Sequence, residues 1–337
     1  MEHGGDLSDA IARFGGERDM WLDLSTGINP TPWPVPDLLL RAGLERLPSR
    51  TDEETLMSAA RAAYRVPPAA AIVAAPGTQA LIQWLPRLAP PGAVAIGVPT
   101  YSEHARAWSE AGHPVSTGGI DHLPGDVRHA VVVNPNNPDG RTASLAAIER
   151  AAVTLRERDG WLVVDEAFVD VVPDATAASL CAQLPIVILR SFGKFYGLAG
   201  LRLGFAIASP ATIETIRRAL GPWAVSAPAQ AIGAAALRDE DWAAAMRERL
   251  AHQAERLDAI LRNAGGTIVG GTSLFRLIRH PDAVALHERL AQHHIWSRKF
   301  VYADNLLRFG LPGTNQDFAR LSAALAWHRL TPLPRGQ

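Results

Sequence analysis

One lysine stands in a glycine-rich, largely apolar segment, "RSFGKFYGLAGLRLG" at residues 190–204, among groups that suit an anion. Ser191 precedes Lys194 by three residues and Arg202 follows it by eight. A hydroxyl group and a guanidinium group at the mouth of a sheet can clamp a phosphate. A lysine becomes a nucleophile toward a carbonyl when its pKa is lowered and the carbonyl is held nearby. The segment is typical of a Schiff-base lysine beside a phosphate, although a lone lysine is more often an exposed loop residue.

A second anion site is indicated by "APGTQALIQWL" at residues 75–85. Gly77 follows a strand pattern, and Thr78 and Gln79 open a helical one, so the first backbone N–H groups have no intrahelical acceptor. These N–H groups and the helix dipole favour a phosphate at the start of the helix. A threonine that merely caps a strand–turn–helix connection is the more common occurrence of this pattern, and the segment alone leaves both interpretations open.

Three further strand ends carry polar or aromatic groups. Asp165 in "WLVVDEAF" follows four apolar residues, where a carboxylate is costly unless it is paired. A protonated pyridine nitrogen would be a suitable partner for it. Asn137 in "VVVNPNNPDG" can donate a hydrogen bond to a phenolate oxygen, and Tyr101 in "VPTYSEH" can stack on an aromatic ring. Each also has an ordinary interpretation: a strand-end cap, a turn residue and a surface tyrosine.

The elements that would position these residues alternate between apolar runs and helical segments from about residue 70 to 208. The runs lack polar alternation, which is typical of strands buried on both faces. Most are separated by about 20 or more residues, enough for a helical crossover, and ligands gather at the carboxyl ends of such strands. We therefore predict a mainly parallel α/β sheet whose last two strands are antiparallel neighbours. The runs are 70–75, 93–97, 130–134, 161–166, 186–191 and 203–208.

Three parts are predicted along the chain. Residues 1–30 form an arm, rich in glycine and proline, that packs on the small domain or on a partner subunit. Residues 31–222 form the large α/β domain, which ends where glycine and proline interrupt the chain. Residues 223–337 hold a long amphipathic helix, with apolar residues at steps of four or seven, and a small α+β domain.

Length, composition and charge exclude several classes of protein. The 337 residues suffice for one large and one smaller domain, and 47% hydrophobic with 20% charged residues is ordinary for a globular enzyme. A formal net charge of −1 gives no basic field to attract nucleic acid or an anionic membrane. The single cysteine, Cys181, excludes an intrachain disulfide and fits a reducing compartment. No apolar run approaches membrane-spanning length, so we expect a soluble, cytoplasmic protein with no nucleic-acid or membrane partner.

The order, spacing and strand-end positions of these motifs resemble those of the fold type I enzymes that use pyridoxal 5′-phosphate (PLP), over about residues 29–308. The resemblance implies three catalytic residues: Lys194 carries the cofactor as a Schiff base, Asp165 pairs with the pyridine nitrogen, and Tyr101 stacks on the ring. Asn137 would bind the 3′-oxygen of the cofactor. No metal site is predicted. The remaining implied cofactor-binding residues, which surround the phosphate, are Gly77, Thr78, Gln79, Ser191 and Arg202.

Within that group the chain resembles the histidinol-phosphate aminotransferase branch, and most of all its threonine-phosphate decarboxylases of cobalamin biosynthesis. The opening "HGGDL" and "LSTGINPTPWP" at residues 24–34 are similar to the arm of the decarboxylases. The chain is short for an aminotransferase, and Phe168 stands where many aminotransferases have a tyrosine that donates to the 3′-oxygen. Leu47 replaces the tyrosine of an Arg-Tyr-Pro motif in that branch, and a leucine has no hydroxyl for the cross-subunit phosphate contact.

The resemblance implies that a homodimer decarboxylates a small phosphorylated amino acid, O-phospho-L-threonine, to (R)-1-amino-2-propanol O-2-phosphate. Arg308 in "LLRFGLPG" would bind the substrate carboxylate, because a guanidinium fork suits a carboxylate better than an ammonium group does. Lys194 or a nearby acid would return a proton to Cα. The substrate phosphate would be bound by Asn29, Arg298 and His3, each of which is equally well explained as an ordinary surface residue.

The same residues could catalyse transamination of histidinol phosphate or a related phosphorylated amino compound. That reaction requires the Cα–H bond, rather than the bond from Cα to the carboxylate, to stand perpendicular to the cofactor ring. The sequence leaves this choice open, because it depends on the pose of the substrate. A third hypothesis is a non-catalytic relative with a regulatory or scaffold role, which the presence of both Lys194 and Asp165 disfavours.

Overall fold

The structure, a computed structural model, describes residues 4–41 and 43–326. The chain divides into two compact units, one of which is Pro32–Ala244. The described residues before and after that range form the other unit. In chain order the strands are β1 (Leu22–Asp23), β2 (Ala71–Ala75), β3 (Ala93–Ile96), β4 (Val115–Thr117), β5 (Val127–Val133), β6 (Leu162–Asp165), β7 (Ile186–Ser191), β8 (Gly204–Ala208), β9 (Thr267–Thr272), β10 (Phe275–Arg279), β11 (Ile295–Trp296), β12 (Arg298–Phe300) and β13 (Ala303–Gly310).

Helices make up much of the rest of the described chain. No helix in that part of the chain combines the length and apolar content needed to cross a bilayer. In chain order the helices are α1 (Ser8–Phe14), α2 (Asp37–Arg41), α3 (Arg50–Ala63), α4 (Thr78–Leu88), α5 (Ser102–Glu110), α6 (Leu145–Glu157), α7 (Phe192–Phe195), α8 (Pro210–Leu220), α9 (Ala227–Arg238), α10 (Glu240–Asn263), α11 (Ala283–Gln292) and α12 (Asn315–Ala326).

The Pro32–Ala244 unit is built on a seven-stranded sheet of order β2-β8-β7-β6-β5-β3-β4. Neighbours from β7 to β4 run parallel, whereas β8 is antiparallel to both β7 and β2. The predicted α/β fold with a mainly parallel sheet is confirmed. The antiparallel return of β8 follows from its connection, because the twelve residues between β7 and β8 hold only the single turn α7 and a short helical turn at Ala199–Leu201, with no crossover helix.

Burial explains why these segments form strands. Every residue of β6, β7 and β8 is buried, which matches their continuous apolar runs. The strand β4 escaped the sequence analysis, because it has only three residues, lies at the sheet edge and has a largely exposed surface. A short edge strand buries too little apolar surface to produce a hydrophobic signal.

The second unit contains a four-stranded sheet of order β12-β13-β10-β9 and a two-stranded sheet in which β1 and β11 run parallel. The N-terminal arm belongs to this unit. Leu7 and Trp21 of the arm pack with Ala291 of α11, and Arg13 forms an ion pair of 2.9 Å with Glu288. The domain limits 1–30, 31–222 and 223–337 come from the sequence and remain predictions. The two compact units are a separate division of the chain, which groups the arm with the residues after 244.

A buried ionic cluster joins the ends of β6 and β7. The guanidinium of Arg190 contacts Glu166, with 3.2 Å between Nη1 and Oε2, and also contacts Asp170. Its Cζ lies 4.2 Å from the centroid of the Tyr64 ring. Burial raises the pKa of Glu166, and the charge of Arg190 opposes that shift. Removing one member of such a buried cluster leaves its partners uncompensated and costs about 3–5 kcal/mol, so the cluster fixes the two strand ends firmly.

Candidate active site

Lys194 and Asp165 come from neighbouring parallel strands. Asp165 is the last residue of β6, and Lys194 lies in α7, the single helical turn that directly follows β7. The two strands pair in parallel, with Asp165 opposite Leu189. Because the carboxyl ends of parallel strands meet at one edge of a sheet, the amine and the carboxylate belong to the same edge. The side chain of Asp165 is buried and that of Lys194 is half-buried.

Two donors hold the carboxylate of Asp165. Its Oδ2 lies 2.8 Å from Nε2 of His104, a buried residue in the first turn of α5. Its Oδ1 accepts a hydrogen bond of 3.0 Å from the backbone N–H of Ala167. No pattern in the sequence marks His104 as a site residue, although it stands in the same "YSEH" segment as Tyr101. The only local signal was its place three residues after Tyr101 at the start of a helix.

Tyr101 immediately precedes α5 and is half-buried. Its ring meets the ring of His104 edge to face, with 6.1 Å between centroids and 85° between planes. Its hydroxyl donates to Oε1 of Gln79 over 3.3 Å. Burial, with a smaller effect of the carboxylates of Glu103 and Asp165, raises the pKa of Tyr101 to about 12. The phenol is therefore neutral near pH 7 and can act as a hydrogen-bond donor.

Protein groups hold both ends of the Gln79 side-chain amide. Its Oε1 accepts from Tyr101, and its Nε2 donates to Oε2 of the buried Glu103 over 2.9 Å. Glu103 also forms an ion pair with Arg106. Since both ends of the side-chain amide are engaged, the backbone N–H of Gln79, in the first turn of α4, is the group of this residue that would bind an anion. That role, which the sequence predicts for the start of this helix, remains a prediction.

A narrow cradle at the start of α4 is formed by Gly77, Thr78, Arg202 and Gly204. Gly77 has a φ of +82°, and a Cβ atom placed on it would lie 2.6 Å from Nη2 of Arg202. A Cβ atom on Gly204 would lie 2.6 Å from the backbone nitrogen of Thr78. Glycine at both positions therefore lets the guanidinium and the backbone N–H groups approach each other. Ser191, at the junction of β7 and α7, is buried.

Two residues with predicted roles beside the cofactor ring lie in loops of the same unit. Asn137 is half-buried in the loop after β5, which its neighbour Asn136 helps to hold by accepting a 2.6 Å hydrogen bond from the hydroxyl of Thr100. The ring of Phe168 is buried, and its centroid lies 5.8 Å from Nζ of Lys194. The ring therefore borders the amine with an apolar surface that has no hydrogen-bond donor.

Arg298 and Arg308 face each other in the second unit. They are register partners on the antiparallel strands β12 and β13, so their side chains share one face of the sheet. Nη2 of Arg308 donates to the backbone oxygen of Ser25 over 2.6 Å, and its Cζ lies 5.2 Å from the centroid of the Phe275 ring. Burial, followed by the charge of Arg298, lowers the pKa of Arg308 to about 10. Both groups are cations at neutral pH and favour a multiply charged anion.

The arm packs around the same serine. Gly5 donates its backbone N–H to Oγ of Ser25 over 2.9 Å, and a Cβ atom on Gly4 would lie 2.5 Å from the backbone oxygen of Ser25. Asn29 is buried, and its Oδ1 accepts a backbone N–H two residues further on at 2.9 Å. His3, which the sequence analysis predicted as a phosphate ligand, lies outside the described residues. The "GG" pair thus permits close packing of the arm.

Comparisons with known proteins identify the family. The model of the family "Aminotransferase class I and II" matches residues 53–325, and the chain belongs to this family. Threonine-phosphate decarboxylases from Sinorhizobium sp and Pseudomonas aeruginosa are 45% and 40% identical to it, each over 96% of this chain and 97% of the relative. A histidinol-phosphate aminotransferase from Gluconobacter oxydans is 34% identical over 50% of each chain.

Solved structures show the same fold. A histidinol-phosphate aminotransferase from Sinorhizobium meliloti, in complex with PLP, has a TM-score of 0.81 and 20% identity and covers 97% of this chain and 95% of its own. The L-threonine-O-3-phosphate decarboxylase from Porphyromonas gingivalis has a TM-score of 0.76 at 20% identity, over 92% and 100% of the two chains. The family depends on PLP, the cofactor that the sequence predicts.

The chemistry of the residues fits this cofactor. The sheet edge offers an amine, a carboxylate held by two donors, and an aromatic ring. The cradle at the start of α4 adds backbone N–H groups and a guanidinium, with no room for a Cβ atom at Gly77. An aldehyde, a protonated ring nitrogen and a phosphate are the groups that complement this set.

The sequence contains only two lysines, Lys194 and Lys299, which makes a matched test possible. We expect Lys194→Ala to lose the visible absorption band that wild-type protein shows after incubation with PLP and removal of excess cofactor, because the band requires the amine to be bonded to the aldehyde. Lys299→Ala, on β12, should keep the band. Absorption spectra of the three proteins decide the matter. A band that survives in Lys194→Ala and disappears in Lys299→Ala would show that Lys299, and not Lys194, bonds to the cofactor.

Proposed function

We propose that the protein catalyses the PLP-dependent decarboxylation of O-phospho-L-threonine to (R)-1-amino-2-propanol O-2-phosphate, a reaction of cobalamin biosynthesis. The observation that carries this proposal is the similarity to two threonine-phosphate decarboxylases over nearly the full length of both partners. The histidinol-phosphate aminotransferase from Gluconobacter oxydans matches only half of the chain. The proposed activity is therefore that of a lyase that belongs to an aminotransferase family.

We assign to the cofactor-binding residues the roles that the family resemblance implies. Lys194 would bond to the aldehyde, Asp165 would face the ring nitrogen, Asn137 would donate to the 3′-oxygen and Tyr101 would stack on the ring. When bound, PLP supplies a protonated ring that accepts the electron pair released at the substrate Cα. The contacts reported above support these assignments. The phosphate would be held by Gly77, Thr78, Gln79, Ser191 and Arg202.

Each of these site residues then has a defined role in the reaction. The negative charge of Asp165, oriented by two donors, stabilises the proton on the ring nitrogen. Tyr101, with its pKa near 12, keeps its proton and adds no negative charge beside Asp165. The ring of Phe168 presents an apolar surface to the amine of Lys194. The substrate amine would take the place of Lys194 on the aldehyde and so free the lysine amine. After carbon dioxide leaves, this amine or a nearby acid would deliver the proton that replaces the carboxylate on Cα.

The substrate anions would be bound by residues of the second unit. Arg308 would hold the carboxylate in a bidentate contact. Arg298 would bind the substrate phosphate together with Asn29 and His3. The register of β12 and β13 supports this assignment, because it presents two guanidinium groups on one face to a ligand that carries two anionic groups.

Transamination of histidinol phosphate or a related phosphorylated amino compound is the second candidate. The observation that favours it is the 34% identity to the histidinol-phosphate aminotransferase from Gluconobacter oxydans over half of the chain. A non-catalytic relative with a regulatory or scaffold role is the third. The geometry disfavours it, because a chain without catalysis has no need for an amine and an oriented buried carboxylate at one sheet edge.

One assay separates these functions. PLP-loaded protein is mixed with O-phospho-L-threonine, and carbon dioxide and pyridoxamine phosphate are both measured, with and without 2-oxoglutarate. We expect continuous carbon dioxide release that does not require 2-oxoglutarate, because decarboxylation regenerates the cofactor. Stoichiometric pyridoxamine phosphate without carbon dioxide would show a transaminase, and neither product would support a non-catalytic protein.

The two arginines should differ in their effects. Arg308→Gln should lower kcat/KM by about 10- to 100-fold for both O-phospho-L-threonine and L-threonine, since both carry the carboxylate. Arg298→Gln should lower it by a similar factor for the phosphorylated substrate alone. Arg279→Gln, at an exposed position on β10, is the matched control. Equal losses on both substrates in Arg298→Gln would remove the phosphate role from Arg298.

We propose that the protein is a homodimer. Support comes from apolar side chains exposed in and after α2, where Leu38, Leu44 and Leu47 are 83%, 69% and 62% exposed. Such a concentration of exposed leucines is typical of an interaction surface. Sedimentation should show a particle of twice the 36.2 kDa chain mass, and a 36.2 kDa particle at micromolar concentration would contradict the proposal. We also propose a cytoplasmic location, which the buried, unpaired Cys181 supports.

A further inference from the structure

We propose that Trp242 is a positioning residue for Lys194. Lys194 lies in α7, a single helical turn, and the two aromatic residues that follow it pack on the indole of Trp242. Trp242 itself binds neither cofactor nor substrate in any role assigned above. The inference rests on the proposed function in one respect, because it requires Lys194 to be the amine that bonds to the aldehyde.

The turn α7 needs support from outside itself. It contains only Phe192–Phe195, and the backbone N–H of Tyr196 closes it with a long hydrogen bond of 3.4 Å to the backbone oxygen of Phe192. Forming a single helical turn fixes several backbone angles for very few hydrogen bonds, so such a turn is not stable alone. The orientation of Lys194 therefore depends on the packing of its neighbours.

Aromatic rings around α7 provide that packing. The ring of Tyr196 lies almost parallel to two others, with 4.5 Å between its centroid and that of Phe192 and 5.5 Å to that of Trp242. The ring of Phe195 meets Trp242 edge to face, with 5.5 Å between centroids and 70° between planes. Aromatic pairs favour both geometries. Trp242 comes from a different helix, α10, so it ties the turn to a distant part of the chain.

A closed set of contacts keeps Trp242 in place. Asp239 directly precedes α10, and its Oδ1 accepts a hydrogen bond of 3.1 Å from the backbone N–H of Trp242. Its Oδ2 accepts one of 3.0 Å from the indole N–H of Trp33. The backbone N–H of Trp33 in turn donates to the backbone oxygen of Tyr196 over 2.9 Å. One carboxylate therefore joins the two tryptophans that contact Tyr196, two residues after Lys194.

These contacts stand where the chain enters and leaves the unit Pro32–Ala244. Trp33 is the second residue of the unit, and Trp242 is the third from its end. Residues at the ends of a compact unit are poorly ordered unless they are tied down. The carboxylate of Asp239 ties the two ends together, so the support of the Lys194 turn is itself held in place.

A fixed turn favours the bond between Lys194 and the aldehyde. The lysine nitrogen adds to the aldehyde carbon, and the aldehyde oxygen leaves as water. With PLP already bound, the extent of this reaction depends on how often the amine is at bonding distance. Loss of the indole would let the turn occupy other orientations and would lower that fraction. Pyridoxamine phosphate has an amine in place of the aldehyde and cannot form the bond, so its binding should not depend on the position of Lys194.

Three variants separate positioning from general stabilisation. Trp242→Leu removes the aromatic face and keeps an apolar side chain, whereas Trp242→Phe restores an aromatic face. Trp161→Leu is the matched control, because Trp161 is half-buried like Trp242 and belongs to the same unit. It directly precedes β6, at the end of the strand opposite to Asp165.

Apo-proteins are titrated with PLP and, separately, with pyridoxamine phosphate to obtain dissociation constants. We expect Trp242→Leu to bind PLP about tenfold more weakly than wild type and to bind pyridoxamine phosphate within about threefold of it. Trp242→Phe and Trp161→Leu should stay within about threefold for both ligands. Normal PLP binding by Trp242→Leu would overturn the proposal. An equal loss for both ligands would overturn it too, because that is the result of a merely structural role.

A double-mutant cycle tests how Trp242 is held. Asparagine has one side-chain oxygen in place of two, so Asp239→Asn cannot keep its contacts with both Trp33 and Trp242. Trp33→Phe removes the indole N–H from the other side of the same contact. We expect each single variant to weaken PLP binding by about threefold and the double variant to lose no more than either single variant. Losses that multiply to about tenfold in the double variant would show that the two residues act separately, which the proposal excludes.

A measurement on wild-type protein keeps the proposal testable if the variants do not fold. Trp33 lies outside the described helices and strands, and its backbone N–H is held by the backbone oxygen of Tyr196. Hydrogen exchange at this N–H in PLP-loaded protein should be slowed by at least about 100-fold. Exchange at the rate of an unprotected amide would overturn the proposal.

Failure of the proposed function would give different results. A wild-type protein that bonds PLP through Lys194 but releases no carbon dioxide would refute the decarboxylase activity alone, because none of these readouts needs turnover. A visible band that persists in Lys194→Ala would instead refute the assignment of the amine, and the role of Trp242 with it.

Discussion

The parallel pairing of β6 with β7 is the constraint on which the rest of the site depends. It sets Asp165 at one strand end and the short helix that carries Lys194 at the next. The buried contact of Arg190 with Glu166 joins the same two ends from within the core, one residue away from Asp165 and Ser191. A shift of one strand against the other would break that contact at a cost of about 3–5 kcal/mol, so the core maintains the spacing that the chemistry requires.

Hydrogen bonds within the protein hold the functional groups at this sheet edge in fixed orientations. The carboxylate of Asp165 is held at both oxygens, and the hydroxyl of Tyr101 is bound to a Gln79 amide that Glu103 holds in turn. Groups oriented before the reaction begins need no reorganisation as charge moves, which is the usual source of electrostatic catalysis. The fold supplies this order with side chains that take no part in the reaction themselves.

The sequence predicted what local patterns report. Continuous apolar runs revealed the buried strands β5 to β8, and the short link after β7 indicated an antiparallel return. It missed the contact between His104 and Asp165, which lie 61 residues apart, and the cluster around Arg190. Such pairings depend on strand register and helix placement rather than on neighbours in sequence, so no local sequence pattern predicts them. The domain limits and the role of each site residue rest on the sequence and remain predictions.

Chemical trapping of the cofactor tests the central claim most directly. Wild-type protein loaded with PLP is reduced with sodium borohydride, which converts a Schiff base into a stable secondary amine, and is then digested for peptide mass spectrometry. The account predicts a pyridoxyl phosphate group on the peptide that contains Lys194. A modification confined to Lys299 or to the N-terminal amine, with Lys194 unmodified, would contradict it.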